Sequence, residues 1–129
     1  MGQTIIKLPS PQLQGKVSLE ETILRRRSVR RYRREPLDLP QLSQILSSAQ
    51  GITGTEEFRA APSAGATYPL EIFVVVGKQG VTAREVKQAS EELQPGIYHY
   101  EADSHSLSLH KPADLRPDLA RATLDQEFI

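Results

Sequence analysis

Apolar residues in the first seventeen positions are scattered. Ile5, Ile6, Leu8 and Leu13 lie among Gln, Lys, Ser and Pro. Pro9 and Pro11 disfavour a helix, because each lacks an amide hydrogen and pushes its predecessor to extended backbone. Residues 1–17 are expected to form an extended N-terminal arm. Ser18-Leu19-Glu20-Glu21 then has the order of a capping box, and Leu19, Ile23 and Leu24 fall on one side of the helix it starts. A second helix start follows at Asp38-Leu39-Pro40-Gln41, with Leu42, Ile45, Leu46 and Ala49 at helical spacing. Gly51 is expected to close that helix in the left-handed position past its C-terminus.

Residues 52–69 read as a loop rich in small residues and turn formers. Ile72-Phe73-Val74-Val75-Val76 is an unbroken apolar run bounded by Pro69 and Gly77. Continuous apolarity implies burial on both faces, so the run predicts a central strand. Ala83, Val86, Ala89 and Leu93 recur at helical spacing and predict a short exposed helix over 82–93, broken by Pro95-Gly96. Residues 97–101 and 106–110 alternate and flank a polar turn, which predicts a β-hairpin. Asp114 is expected to cap a last helix with Leu115, Leu119, Ala122 and Leu124 as its apolar positions.

The chain of 129 residues makes one domain by length. Sixteen basic and sixteen acidic side chains cancel, which disfavours a globally basic nucleic-acid binder. No run of about 18 apolar residues is present, so no membrane span is expected. The first residues lack a basic-then-apolar leader, and a cytoplasmic location is the default expectation. The absence of Cys excludes disulfides, thiolate metal sites and a cysteine nucleophile. Only 38% of residues are hydrophobic, a low share that points to surface covered by a partner, a cofactor or a second chain.

Charge is unevenly placed. Seven of the eleven arginines lie in residues 25–34, at the end of the first predicted helix. Arginines with Ser28 suit a phosphate, because a guanidinium offers a planar two-pronged donor and the hydroxyl adds another. A solvated helix end and an RNA-binding stripe account for the same residues; the helices lack interleaved aromatics, which weighs against RNA. A second candidate is Ala61-Pro62-Ser63-Ala64-Gly65-Ala66-Thr67-Tyr68-Pro69-Leu70-Glu71. Its small residues let a flat ligand approach the backbone, although an ordinary loop before a strand reads similarly. His99, His105 and His110 fall on or beside the hairpin. They lack a third ligand at metal-site spacing, so they are expected at exposed positions with no metal.

Together these segments carry a resemblance. Arg26-Arg27-Ser28-Val29-Arg30, an intervening capped helix, and the run from Ala61 to Val75 resemble the nitroreductase family of FMN-dependent oxidoreductases. The likeness is to its SagB-type, azoline dehydrogenase-like branch. That branch shares Gly96-Ile97-Tyr98-His99-Tyr100, His105, Leu107-Ser108-Leu109 and the segment Leu119 to Ile129. The likeness spans 18–129, and the family domain is considerably longer. It implies an α+β nitroreductase-like fold, truncated to a central strand plus hairpin flanked by helices. Residues 18–129 would be the N-terminal half of the domain. The resemblance further implies that Arg26, Arg27 and Ser28, with Arg30, hold the FMN phosphate, and that Pro62, Ser63, Ala64 and Gly65 lie along the flavin ring of a neighbouring subunit. Expected partners are a second copy in a dimer or oligomer, a second chain carrying the C-terminal half, a small-molecule substrate and NAD(P)H. The implied reaction is two-electron transfer to a nitro compound or quinone, or azoline dehydrogenation. No catalytic side chain is assigned, and the alternative is a non-catalytic dimerising subunit or a pseudo-enzyme fragment without turnover.

Overall fold

The computed structural model describes residues 2–83 and 92–125. Its elements in chain order are β1 (Ile5–Lys7), α1 (Leu19–Arg25), β2 (Leu37–Asp38), α2 (Leu39–Gln50), a 3-10 turn (Ala64–Ala66), β3 (Phe73–Val76), β4 (Val81–Thr82), β5 (Gly96–Glu101), β6 (Ser106–Lys111) and α3 (Arg116–Ala122). Helices and sheet are mixed, as the α+β expectation requires. The main sheet has the order β1-β6-β5-β3, with every neighbour antiparallel. A small parallel pair, β2 with β4, lies beside the start of α2.

Local chemistry accounts for α2. The Asp38 carboxylate accepts from the Gln41 amide at 2.7 Å, and the Gln41 side-chain oxygen accepts from the Asp38 amide at 3.0 Å. Both halves of the capping box are therefore made. The helix buries Leu39, Leu42 and Leu46, with Ser43 and Gln50, whereas Ile45 is 56% exposed. The inward stripe is thus rotated from the expected one. Gly51 is extended at φ −64° and ψ 146°, not left-handed. Its amide still bonds the Ser47 carbonyl, and a Cβ there would lie 2.5 Å from that oxygen, so the position is reserved for glycine.

The hairpin is as expected. Tyr98 opposes Leu109 and Tyr100 opposes Leu107, with a register shift between Ile97 and Tyr98. Alternation sends Tyr98, Tyr100 and Leu107 into the core with Leu39, Leu42, Leu46 and Val76. The opposite face carries Ile97, His99 and Glu101, and across from His99 stands Phe73.

Further expectations meet a different outcome. The Ile72–Val76 run is not central: β3 is an edge of the main sheet among the described residues. Val76 is buried but Phe73 is 52% exposed, because only one face of β3 meets the core. Thr82 belongs to β4, and Ala83 and Leu93 are buried, while the rest of the helix expected over 82–93 lies largely outside the described residues. Finally, Asp114 does not cap α3, whose cap position is Leu115 and whose last residue is Ala122, leaving Leu124 exposed. The Asp114 carboxylate instead accepts from the Arg116 guanidinium at 2.9 and 2.7 Å and from the Lys78 amide at 3.2 Å. That grip ties the start of α3 to the turn after β3 and holds the Asp114 carboxyl well below the ordinary range.

Within the N-terminal stretch Ile5–Lys7 joins the sheet as β1, and bends follow at residues 13–14 and 16–17. The stretch is pinned at a polar knot. His105, at φ 46° in the hairpin turn, places Nε2 2.7 Å from Ser43 Oγ and 3.0 Å from the Pro9 carbonyl. The Ser43 hydroxyl also donates to Pro9. A carbonyl only accepts, so Nε2 carries the hydrogen, and Nδ1 accepts from the Tyr100 hydroxyl at 2.9 Å.

Candidate functional site

The arginine segment follows α1. Ser18 accepts from the Glu21 amide at 3.1 Å, but the Glu21 carboxylate turns to Arg25 at 2.7 Å, so only half of this box forms. Backbone at Arg26 leaves the helix at φ −57° and ψ 127°. None of the residues of α1 is buried; Leu19, Ile23 and Leu24 are all exposed. Arg26, Arg27, Ser28 and Arg30 are exposed as well. Arg27 donates to the carbonyls of Leu24 and Arg26 at 3.0 and 2.8 Å. Arg25 and Arg33 have carboxylate partners, at 2.7 and 3.8 Å. Among the described residues Arg26, Arg27, Arg30, Arg31 and Arg34 have none. The segment is thus a solvated concentration of uncompensated positive charge.

The loop that carries Pro62, Ser63, Ala64 and Gly65 is tightly turned. Gly65 sits at φ 67°, and Ala66 and Tyr68 follow at 51° and 43°. Ser63 Oγ accepts from the Tyr68 amide at 2.9 Å, and the Ala66 amide donates to the Ser63 carbonyl at 3.1 Å. Ser63 therefore shapes the loop as well as bordering it. The Tyr68 hydroxyl accepts from the Arg59 amide at 3.2 Å, and the Arg59 guanidinium lies 5.1 Å from the Tyr68 ring centre. Ala64, Gly65, Ala66 and Thr67 present an exposed surface of small residues. Among the described residues no hydrogen bond or ion pair joins this loop to the arginine segment.

At its far end the loop meets the sheet. His99 Nε2 lies 2.6 Å from Glu71 Oε2, and Nδ1 lies 2.7 Å from Glu101 Oε1. The Phe73 ring is 5.0 Å from the His99 ring. Glu71, then Glu101, raises the imidazole above its ordinary value, against the opposing effect of burial. Of the hairpin histidines His110 is exposed as expected, whereas His99 is clasped and His105 is knotted to Ser43. Alternation along Tyr98-His99-Tyr100-Glu101 already places His99 and Glu101 on one strand face. The contribution of Glu71, twenty-eight residues away in the chain, was not readable from spacing.

Residues 23–125 match the Nitroreductase family. The chain belongs to this family. It is 41% identical over 130 residues to "Putative nitroreductase MJ1384" of Methanocaldococcus jannaschii, a match that covers all of this chain and 59% of that protein. The crystal structure of a "putative nitroreductase" from Ralstonia eutropha JMP134 superposes with a TM-score of 0.69 at 29% identity, over 87% of this chain and 46% of that one. A second such structure, from Anabaena variabilis, is 32% identical over 66% of this chain and 17% of its own, with a TM-score of 0.49. This nitroreductase-family chain thus spans about half the length of the Methanocaldococcus relative and of the Ralstonia structure. Among the described residues no helix is long and apolar enough to cross a membrane.

Proposed function

We propose that this chain supplies the phosphate-facing and ring-facing part of an FMN site in an oxidoreductase of the SagB-type branch. The observation that carries the reading is the cluster of exposed arginines without carboxylate partners at 26, 27 and 30, in one family domain with a small-residue loop turned by Gly65. Both features fit the group. Unpaired guanidinium groups match a phosphate dianion, and a loop without bulky side chains leaves room for a planar ring.

Arg26 and Arg27, with Ser28 and Arg30, would hold the phosphate, and Pro62 to Gly65 would border the ring. When bound, FMN supplies the two-electron chemistry, in keeping with nitro or quinone reduction or azoline dehydrogenation, with NAD(P)H as a donor. The residues of this chain bind and orient; none is assigned a covalent role. The exposed apolar side of α1 and the open edge of β3 support a homodimer, together with the remaining half of the domain in this or a second chain. On this reading residues 18–129 form the N-terminal half, and turnover awaits the rest.

Titration of FMN into the purified chain tests the proposal. One charge-assisted bond contributes about 1.5–3 kcal/mol, so Arg26→Ala is expected to weaken binding by about ten- to a hundredfold. Arg34→Ala, outside the matched motif, is expected to change it little. Equal affinity in wild type and Arg26→Ala overturns the assignment.

A further inference from the structure

The clasp at His99 is absorbed neither by the fold nor by the flavin reading. Its geometry is unusual for an imidazole. Both ring nitrogens face a carboxylate oxygen, at 2.6 and 2.7 Å. An ionised carboxylate only accepts, so both nitrogens must donate, and the ring that satisfies both contacts is the imidazolium. A neutral ring carries one N–H and must leave one contact unmade. The side chain of His99 is 23% exposed, against 63% for Glu71 and 46% for Glu101. Of the three, the histidine is the sheltered member, and Glu71 is the member that reaches in from outside the sheet.

Glu71 also has a defined place in the chain. It closes the segment that begins with Pro62. Ser63 is bonded to Tyr68, Tyr68 to Arg59, and three residues after Tyr68 comes Glu71. Just beyond it, the Ile72 carbonyl accepts from the Tyr100 amide at 2.9 Å and the ladder of β3 begins. The loop is therefore internally stapled, and its side-chain anchorage to the sheet at this end is Glu71 on His99.

We propose that His99 is a pH-sensitive latch, and so a positioning residue, which in its charged form fixes the Glu71 end of the Pro62–Glu71 loop to β5 and releases it when deprotonated. The part of this inference that concerns flavin rests on the function proposed above; the latch itself does not. The groups around the ring are accounted for on each element. From the segment before β3 comes Glu71, and from β3 the uncharged Phe73; on β5 itself stands Glu101. On β6, Ser108 opposes His99 in the ladder and donates to Glu101 at 3.3 Å, and His110 lies 6.0 Å from the Phe73 ring. Lys111 opposes Ile97, and Lys7 of β1 borders the same open face as Glu101. The two carboxylates are the groups in hydrogen-bond contact with the ring. Raised stability of the charged form gives a definite sign: the latch is fully closed below about pH 6.5, the ordinary histidine value, and opens as pH rises through the higher folded-state value.

The test uses the purified chain without flavin. His99 is titrated by NMR, and trypsin cleavage after Arg59, whose amide donates to Tyr68 of the loop, is followed by mass spectrometry for wild type and Glu71→Gln between pH 6 and 9. The ratio of the two cleavage rates at each pH cancels the pH dependence of the protease. The expected ratio is about tenfold faster cleavage in the variant at pH 6, falling to about one at pH 9, with the midpoint at the wild-type titration of His99. Glu71→Gln is also expected to lower that titration. A ratio near one throughout, a large ratio that ignores pH, or a His99 titration unmoved by Glu71→Gln overturns the latch. Should Glu71→Gln lose its fold by circular dichroism, wild-type titration and Glu101→Gln decide in the same way: a His99 midpoint at or below the ordinary value, or one unmoved by Glu101→Gln, overturns it. Absent FMN binding alongside the expected ratio would count against the flavin site alone.

Discussion

Arg116 lies across the bare Cα of Gly77: a Cβ on Gly77 would fall 2.0 Å from the Arg116 Nε. The guanidinium occupies that space while it grips Asp114 through two bonds. A methyl group at Gly77 must push it aside, and the Asp114 carboxylate would lose its main partner. Gly77→Ala is therefore expected to return the Asp114 titration toward about 3.9. A depressed folded-state value stabilises the protein above the unfolded value and is lost as pH falls below it. The variant should show a flatter loss of stability below about pH 4. Carboxyl NMR titration and urea unfolding from pH 2 to 5 check both halves.

The core has a sharp boundary along its elements. Leu107 is fully buried against Tyr100 and the leucines of α2. Leu107→Ala is expected to destabilise by about 2–5 kcal/mol. Ile45→Ala, on the exposed side of α2, is expected to change stability by less than about 0.5 kcal/mol. Urea midpoints of the two variants make the comparison; similar losses would place the inward stripe of α2 wrongly.

Ser43 is buried, and its hydroxyl serves both Pro9 and His105. Removal of one partner leaves buried groups unpaired, which costs about 1–3 kcal/mol. Ser43→Ala is expected to lose that much. Exchange of the Leu8 amide, which donates to the His105 carbonyl at 3.1 Å, should quicken in the same variant. An unchanged exchange rate would uncouple the knot from the seating of β1.

Gly65 has free space where a side chain would stand, with Thr67 Cγ2 the nearest atom at 3.9 Å. The expected cost of Gly65→Ala is thus backbone strain alone, about 1–2 kcal/mol from the left-handed conformation. If urea unfolding shows no loss, the loop has re-formed around the alanine. NMR shifts of Ser63 and Tyr68 would then move together.

Much of the fold was legible from local signals. Asp38 and Gln41 announce α2 because capping chemistry acts within four residues, and the alternation of 97–101 announces β5 because the faces of a strand repeat every second residue. Glu71 and His99 were not legible as a pair, since a contact across the ladder depends on a register that neither segment encodes alone. Phe73 misled for a related reason. An apolar run reports what a strand can bury, and β3 meets the core on one face only. Asp114 has the residue type of a cap, yet an arginine two positions on bound it first. The arginines and the Pro62–Gly65 loop were legible as candidates, but nothing local tells a solvated guanidinium from one awaiting a phosphate.

The pairing of Ile6 with Leu107 joins residues about a hundred positions apart. During synthesis β1 has no ladder to join until the hairpin has been made. Loop closure over that distance is among the slowest kinds of contact for a domain of this size. The Ile5–Lys7 strand therefore stays unpaired until Ser106–Lys111 has been made, although it is read about a hundred residues earlier. An early stall would leave an apolar strand free, with Lys7 as its one charge, and a lysine on an unpaired strand disfavours pairing with a neighbouring chain.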